Sequence, residues 1–226
     1  MLKNIAILFT YLIHIFVRCR CFLLLMIKLS LVLGLCFSVS GCFSAATHKY
    51  VEKKQYLLNL PHLPTRKSAI PKQDILVQPI TALAAFDQNY FLYRVGKNQY
   101  LIDYYNGFLI SVTRQLDSVL VSYLKHSGFR NISVVQDSSV SLNELRVQIT
   151  DLYADYRDRA HPRAVTALHF IFTTKKDGKT IVLLDRTFHS AIPLKAKNTD
   201  SLLAAWSHGL QIDLTAAVWA MRHRFH

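Results

Sequence analysis

Along the chain, apolar residues fall into runs of two kinds, and their period separates strands from helices. Short runs come first. Gln55 to Leu60, Ile75 to Ile80 and Tyr90 to Val95 are rich in aliphatic and aromatic residues and predict strands. Pro79 sets the second of these near an edge or a bulge, because proline has no N–H to give to a ladder. Between Leu101 and Lys125 the period lengthens. Tyr105, Phe108, Leu109, Val112, Leu116, Val119, Leu120, Tyr123 and Leu124 recur three and four apart, which predicts a helix with one broad apolar stripe. Gly128 just beyond suits the C-terminal cap. Gly107, inside the run, marks either a close packing contact or a later helix start.

Four further strands are predicted. Asn131 to Val135 is followed by Leu145 to Thr150, where Leu145, Val147 and Ile149 alternate with polar neighbours, so one face is buried. Ala164 to Thr174 and Thr180 to Ser190 flank Asp177-Gly178, a pair that supplies the positive φ values of a tight hairpin. A final helix is predicted from about Asp200 to Arg222, capped by Asn198 or Thr199 and lined by Leu203, Trp206, Leu210, Ala217, Val218 and Met221. Two long helices packed on an antiparallel or mixed sheet make the expected fold class α+β.

The segment ahead of these elements has a different composition. Residues 1–41 contain no acid and are dominated by Leu, Ile, Phe and Val. Ile5 to Val17 and Leu29 to Gly41 are each shorter than the about 20 residues that span a bilayer as a helix. From Met26 the order is one cation, an apolar run and small residues, the layout of a secretory signal peptide, and a true start at Met26 instead of Met1 accounts for the extra run. Val39-Ser40-Gly41-Cys42 resembles the lipobox of bacterial lipoproteins, in which the cysteine receives a diacylglyceryl group and becomes the new N-terminus. The expected organisation is a leader over 1–41, a lipidated tether over 42–73 with a short strand near 55–60, and an α+β domain over 74–226. Two or more acyl chains hold a protein at a membrane stably, where one holds only marginally.

Charge and cysteine usage narrow the function. Four of the 27 Lys and Arg lie in the leader, leaving 23 against 14 acids, so the part after the cut stays basic at +9. Anionic lipid, an acidic protein and nucleic acid all suit such a surface, and export disfavours the last. All four cysteines lie at or before residue 42, which removes thiol catalysis and Cys-ligated metal from the domain. The ten histidines lack ligand spacing apart from His223 and His226, where neighbouring arginines oppose a cation, so no metal site is expected. No Gly-x-Ser-x-Gly elbow or phosphate-cradling glycine loop occurs, and no enzyme is expected.

With the lipobox, the motifs Tyr56-Leu57-Leu58, Ile75 to Ile80, Phe91-Leu92-Tyr93-Arg94, Tyr100 to Tyr105, Leu145 to Thr150 and Leu202 to Trp206, in that order, resemble the auxiliary lipoproteins of ABC-type transport systems. These include the paraquat-inducible type that works beside proteins with mammalian-cell-entry domains. The sequence departs from that pattern after Tyr105, where Asn106-Gly107-Phe108 replaces a frequent tryptophan. The resemblance implies a non-enzymatic, periplasm-facing lipoprotein of a lipid transport system between the inner and outer membranes, without a cofactor beyond the acyl lipid on Cys42. Phe43 in place of an aspartate favours the outer membrane; inner-membrane anchoring, association of several copies, and an envelope lipoprotein that binds cell-wall polymer stay open. Tyr and Arg dominate interface hot spots, so the candidate partner surface is Tyr90, Tyr93 and Arg94 with Tyr153, Tyr156, Arg157, Arg159 and Arg163.

Overall fold

The computed structural model describes residues 30, 51–60, 74–134 and 143–224. The chain divides into the units Met1–Val51 and Glu52–His226, and every element below belongs to the second. The lipobox Val39 to Cys42 and most of the expected tether lie outside the described residues. Among those residues, nine strands form one open, mixed sheet with two helices, an α+β fold as expected.

The sheet is organised by a meander of three long antiparallel strands, β7 (Asn143–Asp155), β8 (Arg163–Lys176) and β9 (Lys179–Pro193). Asp177 and Gly178 turn β8 into β9 with φ values of 50° and 73°, the conformation that the Asp-Gly pair predicts. The free edge of β7 then takes three short parallel pieces one after another: β2 (Asp74–Val77), β3 (Thr81–Ala82) and β4 (Tyr90–Arg94). Pro79 lies in the gap between β2 and β3, where its missing N–H costs no ladder bond. β5 (Tyr100–Phe108) pairs antiparallel with β4, β1 (Lys54–Tyr56) parallel with β5, and β6 (Asn131–Ser133) parallel with β2.

One expectation needs correction. Residues Tyr100 to Phe108 form β5, and helix α1 covers only Val112–His126. The helical spacing of Tyr105, Phe108 and Leu109 is overridden because β4 pairs with this aromatic-rich stretch at Tyr100 to Asp103 and again at Gly107, and propensity yields to tertiary pairing. Both readings of Gly107 hold. It precedes the true helix start, and a Cβ there would run into the carbonyl oxygen of Asn89 and stand 3.3 Å from Tyr90 Cα. Gly128, with a φ of 98°, follows the C-cap Ser127 as expected.

The buried stripe of α1, led by Leu116, Leu120 and Leu124, enters the main core with Ile75, Val77, Leu145 and Phe172. The polar side of α1 holds irregular chain: Leu58 N–H donates to Gln115 Oε1 at 2.8 Å and Ile80 N–H to Asp117 Oδ1 at 2.8 Å, which satisfies donors that leave the sheet. Helix α2 (Thr199–Arg222) opens with Asn198 accepting from Ser201 N–H at 2.9 Å, the cap its sequence predicts. It lies on β8 and β9. Trp206 is fully buried, meets Phe91 edge-on with ring centroids 5.1 Å apart, and donates from Nε1 to the Tyr153 carbonyl at 3.2 Å. Beside it Asp213, 1% exposed, accepts from Thr166 Oγ1 and Ser190 Oγ, each at 2.6 Å, and so clamps the helix to β8 and β9.

Candidate functional site, an aromatic and arginine docking surface

Successive residues of a strand point to opposite faces, and this divides the expected partner surface in two. A bulge in β7 between Ile149 and Asp151 shifts its phase, so Leu152 and Ala154 join the main core while Tyr153 faces the other way. On that other face Tyr153, Leu92 and Val165 form a small second cluster covered by Phe86, whose ring stacks on Tyr153 at 6.2 Å. Tyr153 is therefore buried, at 6% exposure. Its contribution to the surface is indirect. The Arg94 guanidinium lies 5.7 Å from the Tyr153 ring centroid and 5.8 Å from that of Tyr100, and it donates to Tyr153 Oη at 3.2 Å and to the Lys97 carbonyl at 2.7 Å. Those rings meet edge to face at 5.6 Å, and an arginine held against both keeps its planar fork fixed and partly available.

On the main-core face, Tyr93 and Tyr156 meet edge to face at 5.5 Å. Tyr93 Oη donates to Asp103 Oδ2 at 2.8 Å, and burial first, then this bond and the Asp103 charge, pushes the phenol far above its ordinary value. Burial alone would raise the Asp103 carboxyl; the hydrogen bonds from Asn106, Tyr93 and the N–H groups of Tyr105 and Asn106 outweigh it and hold it below the usual range.

Those bonds do structural work on β5. Phe91 faces Asp103 but the adjacent Tyr90 faces Gly107, so Tyr104, Tyr105 and Asn106 stand out as a bulge. Asp103 Oδ1 accepts from the N–H groups of Tyr105 at 2.9 Å and Asn106 at 3.0 Å, and Asp103 Oδ2 accepts from Asn106 Nδ2 at 2.8 Å. The pinned bulge displays Tyr104 at 70% and Tyr105 at 52% exposure, next to exposed Tyr100, Leu101 and Ile102. β1 pairs only with Asn106 to Phe108, so among the described residues the β5 edge from Tyr100 to Tyr105 carries no strand partner.

Of the sequence-derived residues, Tyr93, Arg94, Tyr153, Tyr156 and Arg157 gather where β4 runs beside β7, with Tyr93 paired to Ala154 and Arg94 to Asp155. Arg157 is exposed and binds Asp155 through Nη2 at 2.6 Å, a hydrogen bond that lowers the Asp155 carboxyl. Arg159 and Arg163 are exposed without joining this cluster, and Tyr90 is half-buried against the second cluster. Tyr104, Tyr105 and the pinning Asp103 are not among the expected surface residues because helical spacing from Leu101 onward hides a strand, and Tyr100 stands just ahead of that run. The signal was there in the Asn106-Gly107 pair, which favours a turn or bulge over a helix interior. Among the described residues, no group of three or more His, Cys, Asp or Glu is placed to hold a metal ion, and no helix is long and apolar enough to cross a membrane.

The sequence profile of the ABC-type transport auxiliary lipoprotein component matches residues 56–216, most of the chain and all but the first and last parts of the folded unit. The chain belongs to this auxiliary lipoprotein family. Solved structures agree in fold: a Xanthomonas campestris protein of the DUF330 family is 20% identical, with a TM-score of 0.65 over 76% of this chain and 95% of its own. A second, described only as an uncharacterized protein, is 17% identical, with a TM-score of 0.57 over 75% and 99% of the two chains. No curated protein matches significantly. On this auxiliary lipoprotein, the pinned bulge and Arg94 make an exposed aromatic and arginine surface along β5.

Proposed function

We propose that the chain is a non-enzymatic component of an ABC transport system that includes a mammalian-cell-entry domain protein and moves lipids between the inner and outer membranes. A diacylglyceryl group on Cys42 anchors it at the periplasmic face of the outer membrane. It needs no metal or other cofactor and binds no nucleic acid. The observation that carries this reading is the family match over residues 56–216.

The docking surface for the transport protein is the β5 bulge, with Tyr100 at the start of the same strand held against Arg94. Tyr104 and Tyr105 offer large, rigid contact area at low entropic cost, and Asp103 holds them in place before any partner arrives. Extraction of the full chain from native cells in mild detergent should recover a mammalian-cell-entry protein. The double variant Tyr104→Ser, Tyr105→Ser should recover at least tenfold less, a loss of about 1.4 kcal/mol, with unchanged melting temperature because both rings are exposed. Recovery of cell-wall polymer without the transport protein would overturn the transport assignment, and undiminished recovery by the double variant would overturn the docking assignment. Mass spectrometry of the N-terminal peptide should find Cys42 acylated; an unmodified thiol with the leader attached would remove the anchor.

A further inference from the structure

Beyond Asp200 in the first turn, the outward side of α2 carries no Lys, Arg, Asp or Glu at an exposed position. Its exposed positions Ala204, His208, Ile212, Thr215 and Trp219 form one stripe at spacings of three and four, and Trp219 is 55% exposed. A helix of a soluble protein usually keeps such a stripe charged. Here the stripe borders an open hollow of about 620 Å³ between α2 and β9, floored by Phe188, Ile212, Ala216, Trp219 and Ala220. A second hollow of about 310 Å³ continues from it, sharing Arg186, Trp219 and Ala220 and reaching Arg224.

Among the Lys, Arg, Asp and Glu residues that line the two hollows, cations outnumber acids two to one. Arg186 holds its guanidinium 5.2 Å over the Phe188 ring, at the rim of the first hollow, and Arg224 lines the second. Asp185 also lines the second hollow, but its carboxylate is engaged by His169 Nε2 at 2.7 Å. Two cations beside an apolar trough of ordinary ligand-pocket size complement a molecule with a hydrocarbon part and an anionic end.

We propose that this hollow binds one acyl chain of an anionic amphiphile, with the chain on Phe188, Ile212 and Trp219 and the headgroup between Arg186 and Arg224. The site deepens the lipid-transport reading and rests on it for the source of the ligand, a membrane lipid. It lies on α2 and β9, elements separate from the β5 bulge and Arg94.

The test uses the full chain in its native cells with p-benzoylphenylalanine placed at Ile212, and at exposed Arg146 on β7 as the reference position. After irradiation, mass spectrometry should find an anionic lipid joined through its acyl chain at Ile212, at least tenfold above Arg146. The double variant Arg186→Glu, Arg224→Glu should cut that adduct at least fivefold, with an unchanged melting temperature, since both arginines are exposed. Equal lipid adducts at the two positions would mean general bilayer contact and overturn the proposal. So would a protein adduct, a zwitterionic lipid alone, or no adduct at Ile212. Co-purification of the transport protein without an Ile212 adduct would sink this site and leave the transport role standing. The reverse pair of results would sink the role instead.

Discussion

Replacing Asp213 by alanine should loosen α2 from the sheet, and the size of the effect follows from its partners. The carboxylate is 1% exposed and accepts from two buried hydroxyls, Thr166 on β8 and Ser190 on β9, each at 2.6 Å. Hydrogen bonds to a charged group contribute about 1.5–3 kcal/mol each. Against them stands the cost of keeping a carboxylate out of water, of the order of several kcal/mol. Removing the side chain recovers that cost but leaves two hydroxyls facing a void, so the net loss should be about 2–4 kcal/mol. For a chain of this length each kcal/mol lowers the melting temperature by about 2–4 °C, giving a drop of about 5–15 °C in thermal unfolding followed by circular dichroism. The pH dependence separates charge from packing. Burial raises the Asp213 carboxyl above the ordinary aspartate value, with Ser190, Thr166 and His189 pulling the other way. Stability from this group is therefore fully present below the unfolded aspartate pKa of about 3.9 and is lost as pH rises through the higher folded value. In urea titrations from acid to neutral pH, Asp213→Asn should remove this decline, so its stability relative to the parent should rise with pH. An Ala variant that melts with the parent, or an Asn variant with the parent's pH profile, would refute the clamp.

Other substitutions probe the strands and the bulge. Gly107→Ala should cost about 1–3 kcal/mol in chemical denaturation, because the added Cβ meets the Asn89 carbonyl in a paired strand that cannot easily retreat. Gly178→Ala meets no neighbour within 4 Å, so only its φ of 73° opposes it, and a loss of about 1 kcal/mol is expected, smaller still for Gly178→Asn. Asp103→Ala removes the acceptor of four hydrogen bonds. It should lower transport-protein recovery as far as the double tyrosine variant does while both rings remain, and full recovery would show that the bulge needs no pin.

How much of this was legible in the sequence depended on the range of the interactions involved. The Asp177-Gly178 hairpin, the Asn198 cap, the Gly128 stop and the alternation of Leu145, Val147 and Ile149 rest on backbone preferences within a few residues, and each appears in the structure where its motif stands. The α+β class follows from the two helices and several strands that such local patterns predict. Tyr100 to Phe108 needed more, because a stretch with both helical spacing and strand propensity is decided by the partner available, and β4, just upstream, is held as that partner by its own pairing with distant β7. The same holds for the docking surface. Residue type nominates Tyr153, but a phase shift at Thr150 turns it under Phe86, where it meets Tyr100 and both rings receive Arg94. Sequence alone determined which residues could serve as anchors, caps and turns, since those are properties of single side chains and their neighbours. Tertiary structure decided which aromatic residues face water and that Asp213 meets two distant hydroxyls, because burial and long-range hydrogen bonding exist only once separate strands and helices share one core.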